Sequence, residues 1–131
     1  EFRRVLFRSN DESHRLHAVN AGLEMIELLR AFNEQRTMQN KSEVRIGIGI
    51  ATGKVIAGYT GTQHRATYTC VGDTVNLAAR IESHTKVVGK PLLIDHYTRE
   101  GLSSETQLDD LGDMIFKGKE QAIHVFAVNS H

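Results

Sequence analysis

Long apolar runs are missing from this sequence, and with them any segment able to cross a bilayer as a helix. Cysteine is nearly missing too. Cys70 stands alone, which excludes an internal disulfide and suits a reducing cytoplasm. The seven histidines are scattered, and no Cys/His pairing has the spacing of a zinc site. Aromatics make up 6%, too few for the stacking platforms of an RNA-binding sheet. No charge of one sign dominates, since 16 basic residues face 16 acidic ones. The composition is otherwise that of a folded soluble protein: 40% apolar and 24% charged residues over 131 positions, enough for one domain with one core.

The first nine residues, EFRRVLFRS, differ from the rest. They do not start with Met and share no helical or strand period with the residues after them. In one reading frame they match the translation of a common DNA-sequencing adapter. Residues 1–9 are therefore expected to be a sequencing or cloning scar, the alternative being a short basic strand, and 10–131 to be the domain. Without the scar's three arginines and one glutamate, 13 basic residues stand against 15 acidic ones. A net charge of −2 is a poor balance for binding nucleic acid.

Hydrophobic periodicity predicts a helix over 11–36, with Leu16, Val19, Leu23, Ile26, Leu29 and Phe32 on one stripe and Asn10 or Asp11 as its cap. VRIGIGIA (44–51) alternates as a strand. It puts Val44, Ile46, Ile48 and Ile50 on one face and Arg45, Gly47 and Gly49 on the other. Two glycines on one face leave room for a close neighbour, either a packed helix or a ligand. Further strands are predicted at 55–59 and 66–71, separated by a loop at 60–65. A helix from 74 to about 84 follows, with Asp73 as its cap. KPLLID reads as a short buried strand starting at Pro91, and 97–104 as a short helix and loop. The segment from 113 to 128 reads as a hairpin turning at Gly118. No repeat or linker is visible. The pattern predicts an α+β domain with a mostly antiparallel sheet.

The stretch YTCVGDTVNLAAR (68–80) raises a question of chemistry. Its helix is apolar except along one line, where Asn76, Arg80 and Ser83 cluster. A polar stripe of this kind usually meets water. Its surroundings offer another reading. Gly47, Gly49, Gly53, Gly58, Gly61 and the KGK at 117–119, together with Arg80, have the makings of a polyphosphate cradle. It is no Walker A loop, because Ile48 and Val55 stand where that pattern needs Gly and Ser or Thr. Cys70 has no histidine near it in sequence and reads as an apolar filler rather than a nucleophile.

RIGIGIATGKVIAGYTG, YTCVGDTVNLAARIES, KPLLID and FKGK, in that order, resemble the class III adenylyl/guanylyl cyclase catalytic domain, most closely its bacterial adenylyl branch. The resemblance runs from about 11 to 128. It implies a ferredoxin-like α+β fold and a homodimer with shared active sites. It also implies conversion of ATP to 3′,5′-cyclic AMP and pyrophosphate for intracellular signalling. Asn76 and Arg80 match the family's transition-state pair: the Asn orients the ribose and the Arg stabilises charge on the α-phosphate. Lys117 matches the lysine that neutralises the terminal phosphates; the plain alternative is a hairpin-turn lysine. Thr69 falls at the base-reading position. Guanylyl enzymes often carry Cys directly after the Tyr, whereas here Cys70 comes one place later and points to the opposite strand face. Thr69 therefore favours ATP over GTP.

One departure qualifies the resemblance. The family's domain begins earlier, with strands that supply two metal-binding aspartates and a base-reading lysine. Asp73, Asp95, Asp109, Asp110 and Asp113 do not fall in those motifs. The ligands for Mg²⁺ or Mn²⁺ are thus expected in a missing N-terminal part, and the chain alone is expected to be inactive. Alternatives are a non-catalytic cyclase-like dimerisation or nucleotide-binding module, a guanylate cyclase, or a ferredoxin-like RNA-binding domain. The last would need strand aromatics and a basic face that this chain lacks. Neither nucleic acid nor direct membrane contact is expected for this segment, and the location implied is cytoplasmic.

Overall fold

The computed structural model describes residues 13–62, 65–116 and 121–129. In chain order these form α1 (His14–Met38), β1 (Ile48–Ile50), β2 (Ile56–Thr62), β3 (Arg65–Val71), α2 (Asp73–Val88), β4 (Leu92–Asp95), α3 (His96–Arg99), β5 (Leu108–Met114) and β6 (Ile123–Val128). The main sheet has the order β1-β4-β6-β5. β1 runs parallel to β4, and the other two pairings are antiparallel. β2 and β3 form a separate antiparallel hairpin. The α+β, mostly antiparallel expectation holds.

β4 shows why the sheet carries helices on both faces. Its side chains alternate. Leu92 and Ile94 join Val19 of α1 and Val128 in one buried cluster. Leu93 joins Leu77 and Ile81 of α2, Phe116, Val125 and Ala127 in the other. Leu92, Leu93, Ile94 and Ile81 have no exposed surface. Each such side chain contributes about 1.5–3 kcal/mol by leaving water.

The glycines of the first strand face a helix, not a ligand. A Cβ on Gly49 would lie 2.6 Å from the Ala78 carbonyl oxygen, and one on Gly47 would lie 3.2 Å from the Glu82 carbonyl oxygen. Gly53 abuts the Thr74 side chain in the same way. α2 therefore lies directly on β1, which removes Gly47, Gly49 and Gly53 from the proposed cradle.

Several boundaries differ from the periodic reading. β1 is three residues long, not eight, because only residues 48–50 find a partner in β4. Val44 is held instead by the Asn33 side chain, whose amide donates to the Val44 carbonyl and whose oxygen accepts from its N–H, both at 2.8 Å. The 60–65 loop is shorter than expected, since β2 reaches Thr62 and β3 starts at Arg65. The candidate caps Asn10 and Asp11 lie outside the described residues. Phe32 is 49% exposed and falls off the buried stripe of α1. α2 extends to Val88, where Gly89 closes it in the left-handed region at φ 70°. Its cap is Gly72, at φ 134°, so Asp73 is the first helical residue rather than the cap. Only glycine adopts that backbone freely, so the turn ends one residue early.

Candidate active site

α2 positions two of the four residues singled out above. Leu77, Ile81 and Thr85 are buried at four-residue steps, which turns Asn76, Arg80 and Ser83 away from the sheet. Asn76 is exposed and Arg80 half-buried. Arg80 lines an open surface cleft of about 380 Å³ with Ala79, Ser83, His84, Val87 and Phe116. Asn76 stands one turn nearer the helix N-terminus and does not line that cleft. Among the described residues Arg80 has neither a hydrogen bond nor an ion pair. A half-buried guanidinium without an internal anion is available for an external one, and its planar fork suits phosphate oxygens.

The other two residues are less fully seen. The backbone of Thr69 sits opposite Gly58 in the β2–β3 hairpin, three residues before the cap of α2. Its side chain lies outside the described residues. Lys117 also lies outside them. Phe116, its neighbour in sequence, is nine-tenths buried and packs edge-on to His84, with ring centroids 5.5 Å apart and planes at 87°. His84 and Phe116 escaped the sequence reading. His84 had a usable signal, since it follows Arg80 by four residues. The Phe116 contact is non-local and had none.

The acidic residues are committed elsewhere. Asp95 is buried and caps α3, its Oδ1 accepting from the Thr98 N–H at 2.9 Å and from the Thr98 hydroxyl at 2.6 Å. Burial pushes its carboxyl above the usual range, against the pull of those hydrogen bonds. Thr98 extends this chain to the Thr52 hydroxyl at 2.8 Å. Asp109 lies 3.6 Å from Lys90, and Asp110 and Asp113 both bond His124. Among the described residues no group of three or more His, Cys, Asp or Glu side chains could hold a metal ion. The described residues do not fit the divalent metal that the family resemblance implies. No described helix is long and apolar enough to cross a membrane.

The chain is similar to known proteins over most of its length. A family model described as the adenylate and guanylate cyclase catalytic domain matches residues 5–129. Adenylate cyclase 1 of Rhizobium meliloti (strain 1021) is 32% identical over 118 residues, covering 90% of this chain and 18% of that protein. The crystal structure of the guanylyl cyclase Cya2 matches with a TM-score of 0.81 at 30% identity, over 93% of this chain and 61% of that one. The adenylyl cyclase CyaB from P. aeruginosa matches with a TM-score of 0.82 at 26% identity, over 94% and 63%. The chain thus spans under a fifth of that curated relative and less than two thirds of either solved chain.

Proposed function

This chain belongs to the adenylate and guanylate cyclase catalytic domain family, and from that premise we propose that it is the C-terminal portion of a catalytic domain whose parent protein converts ATP to 3′,5′-cyclic AMP and pyrophosphate in the cytoplasm. The observation that carries the reading is Arg80. It is half-buried on a cleft wall, without an internal anion among the described residues, one helical turn from an exposed Asn76.

In this reading the ribose 3′-oxygen attacks the α-phosphorus. The bond from that phosphorus to the bridging oxygen breaks, pyrophosphate leaves with the oxygen, and the 3′-hydroxyl proton is released. Arg80 stabilises the charge that builds on the α-phosphoryl oxygens. Asn76, with a donor and an acceptor on one amide, orients the ribose. Lys117 neutralises the terminal phosphates, and Thr69 meets the base. The proposal includes a divalent ion, Mg²⁺ or Mn²⁺, held by carboxylates that the described part of this chain does not supply. The Asn76–Arg80 face then serves a site shared between two subunits of a homodimer.

A guanylate cyclase is the second reading, favoured by the 30% identity to Cya2. Measuring kcat/KM for ATP and GTP on the parent protein, under one metal condition, separates the two. Thr69 leads to an ATP preference. A GTP preference would reverse the substrate assignment, and the absence of any cyclic product would leave a nucleotide-binding or dimerisation module.

A further inference from the structure

His84 is absorbed by neither the core nor the chemistry proposed above. It lies one turn beyond Arg80 on α2, half-buried, and lines the same cleft. Its ring meets Phe116 edge-on at 5.5 Å and 87°. Phe116 has left β5, which ends at Met114. Between them Ile115 is 79% exposed, while Phe116 returns to 9% exposure against Leu77 and Ile81. One aromatic ring therefore ties the end of β5 back to the helix, and His84 is the group on the cleft side of that tie. Arg80, His84 and Phe116 all line the cleft.

We infer that His84 is a positioning residue: its ring fixes Phe116 and so sets the shape of the cleft that Arg80 lines. Edge-to-face aromatic pairs have a preferred geometry, so the ring specifies where Phe116 sits and not only that it is buried. The role needs the ring's shape and no proton. It acts on how the phosphates are seated beside Arg80, not on the charge Arg80 itself supplies. The inference rests on the nucleotide-cyclase reading of this cleft.

The test is steady-state kinetics of the parent protein with ATP. His84→Ala is expected to raise KM about three- to tenfold, the size of one lost aromatic pair, with kcat within about twofold. His84→Phe keeps a ring edge and is expected to restore KM. Phe116→Leu is expected to raise KM like His84→Ala, and the double variant to be no worse than either single one, because both remove one contact. Val19→Ala, in the cluster on the opposite face of the sheet, controls for general destabilisation and is expected to leave KM unchanged. An unchanged KM in His84→Ala, failure of His84→Phe to restore it, or additive losses in the double variant would each overturn the positioning role. A wild-type parent that makes no cyclic nucleotide would instead overturn the functional reading on which it stands.

Discussion

At the scale of single residues, two side chains carry predictions of opposite kinds. Arg80 acts on charge that exists only during reaction. In the parent protein Arg80→Ala is expected to lower kcat by roughly 10²–10³ with a smaller change in KM, as for other groups that stabilise developing charge. A variant with near wild-type kcat would return Arg80 to an ordinary surface residue. His124 acts on the resting fold. Its Nε2 lies 2.5 Å from Asp110 Oδ1 and its Nδ1 2.9 Å from Asp113 Oδ1. Ionised carboxylates only accept, so the ring can donate to both only while it is protonated. The Asp110 hydrogen bond, ahead of the Asp113 contact, raises the His124 pKa above 6.5. The Gly112 N–H, and then His124, lowers that of Asp110 below 3.8. Arg99, the cation on the neighbouring helix, adds to the lowering of Asp110. A raised folded-state pKa means that the folded chain holds the proton more tightly. The stabilisation is full below the unfolded histidine value and fades as pH rises through the folded one. The Asp110 share is present above 3.8 and fades as pH falls through its lowered value. His124→Gln is therefore expected to cost Tm near about pH 5.5 and little near about pH 9, with salt shrinking the difference because the groups are exposed. A Tm difference that stays flat across that range would contradict the assignment.

At the scale of elements, the contact between β1 and α2 decides where the site helix sits. Gly49→Ala places a methyl group against the Ala78 carbonyl and the Glu82 backbone, neither of which can swing aside. It is expected to cost about 1–3 kcal/mol in urea unfolding, as overpacking does. Gly58→Ala meets nothing within 4 Å and is expected to stay within about 0.5 kcal/mol of wild type. Equal losses in the two variants would mean that the close approach is not what sets α2. The same contact shows what a sequence can reveal. The stripe of α2 repeats every turn, so the helix and its Asn76–Arg80 line were legible without a structure. Paired glycines were legible as a demand for room by a helix or a ligand, and the structure puts the helix there. The length of β1 was not legible, because β4 supplies its partners from far along the chain. The cap at Gly72 was hidden by Asp73, a better cap by residue type but set in a backbone that turns one residue too soon. The tie from His84 to Phe116 joins segments that no local pattern connects.

At the scale of the whole molecule, the reading requires two chains to complete one site. A parent variant carrying Arg80→Ala and a second lacking one metal carboxylate are each expected to be inactive. Mixed in equal amounts, half the dimers become hetero, each with one intact site of two, so activity is expected to return to about a quarter of wild type. No recovery, with subunit exchange shown separately, would rule out a shared site. The crossover from β1 to β4 has a different consequence. Ile48 pairs with Leu92 in parallel, and between them the chain makes the whole β2–β3 excursion before Gly72 starts α2. The hairpin adds no strand to the main sheet, and Ile56, Tyr59 and Val71 on it stay at least half exposed. The entropy of closing a connection grows only with the logarithm of its length, about 0.6 kcal/mol per doubling. Residues inserted between Thr62 and Arg65 are therefore expected to cost little stability, which urea unfolding checks. A change of length at the hairpin tip is thus expected to be far cheaper than a side chain added at either glycine under α2.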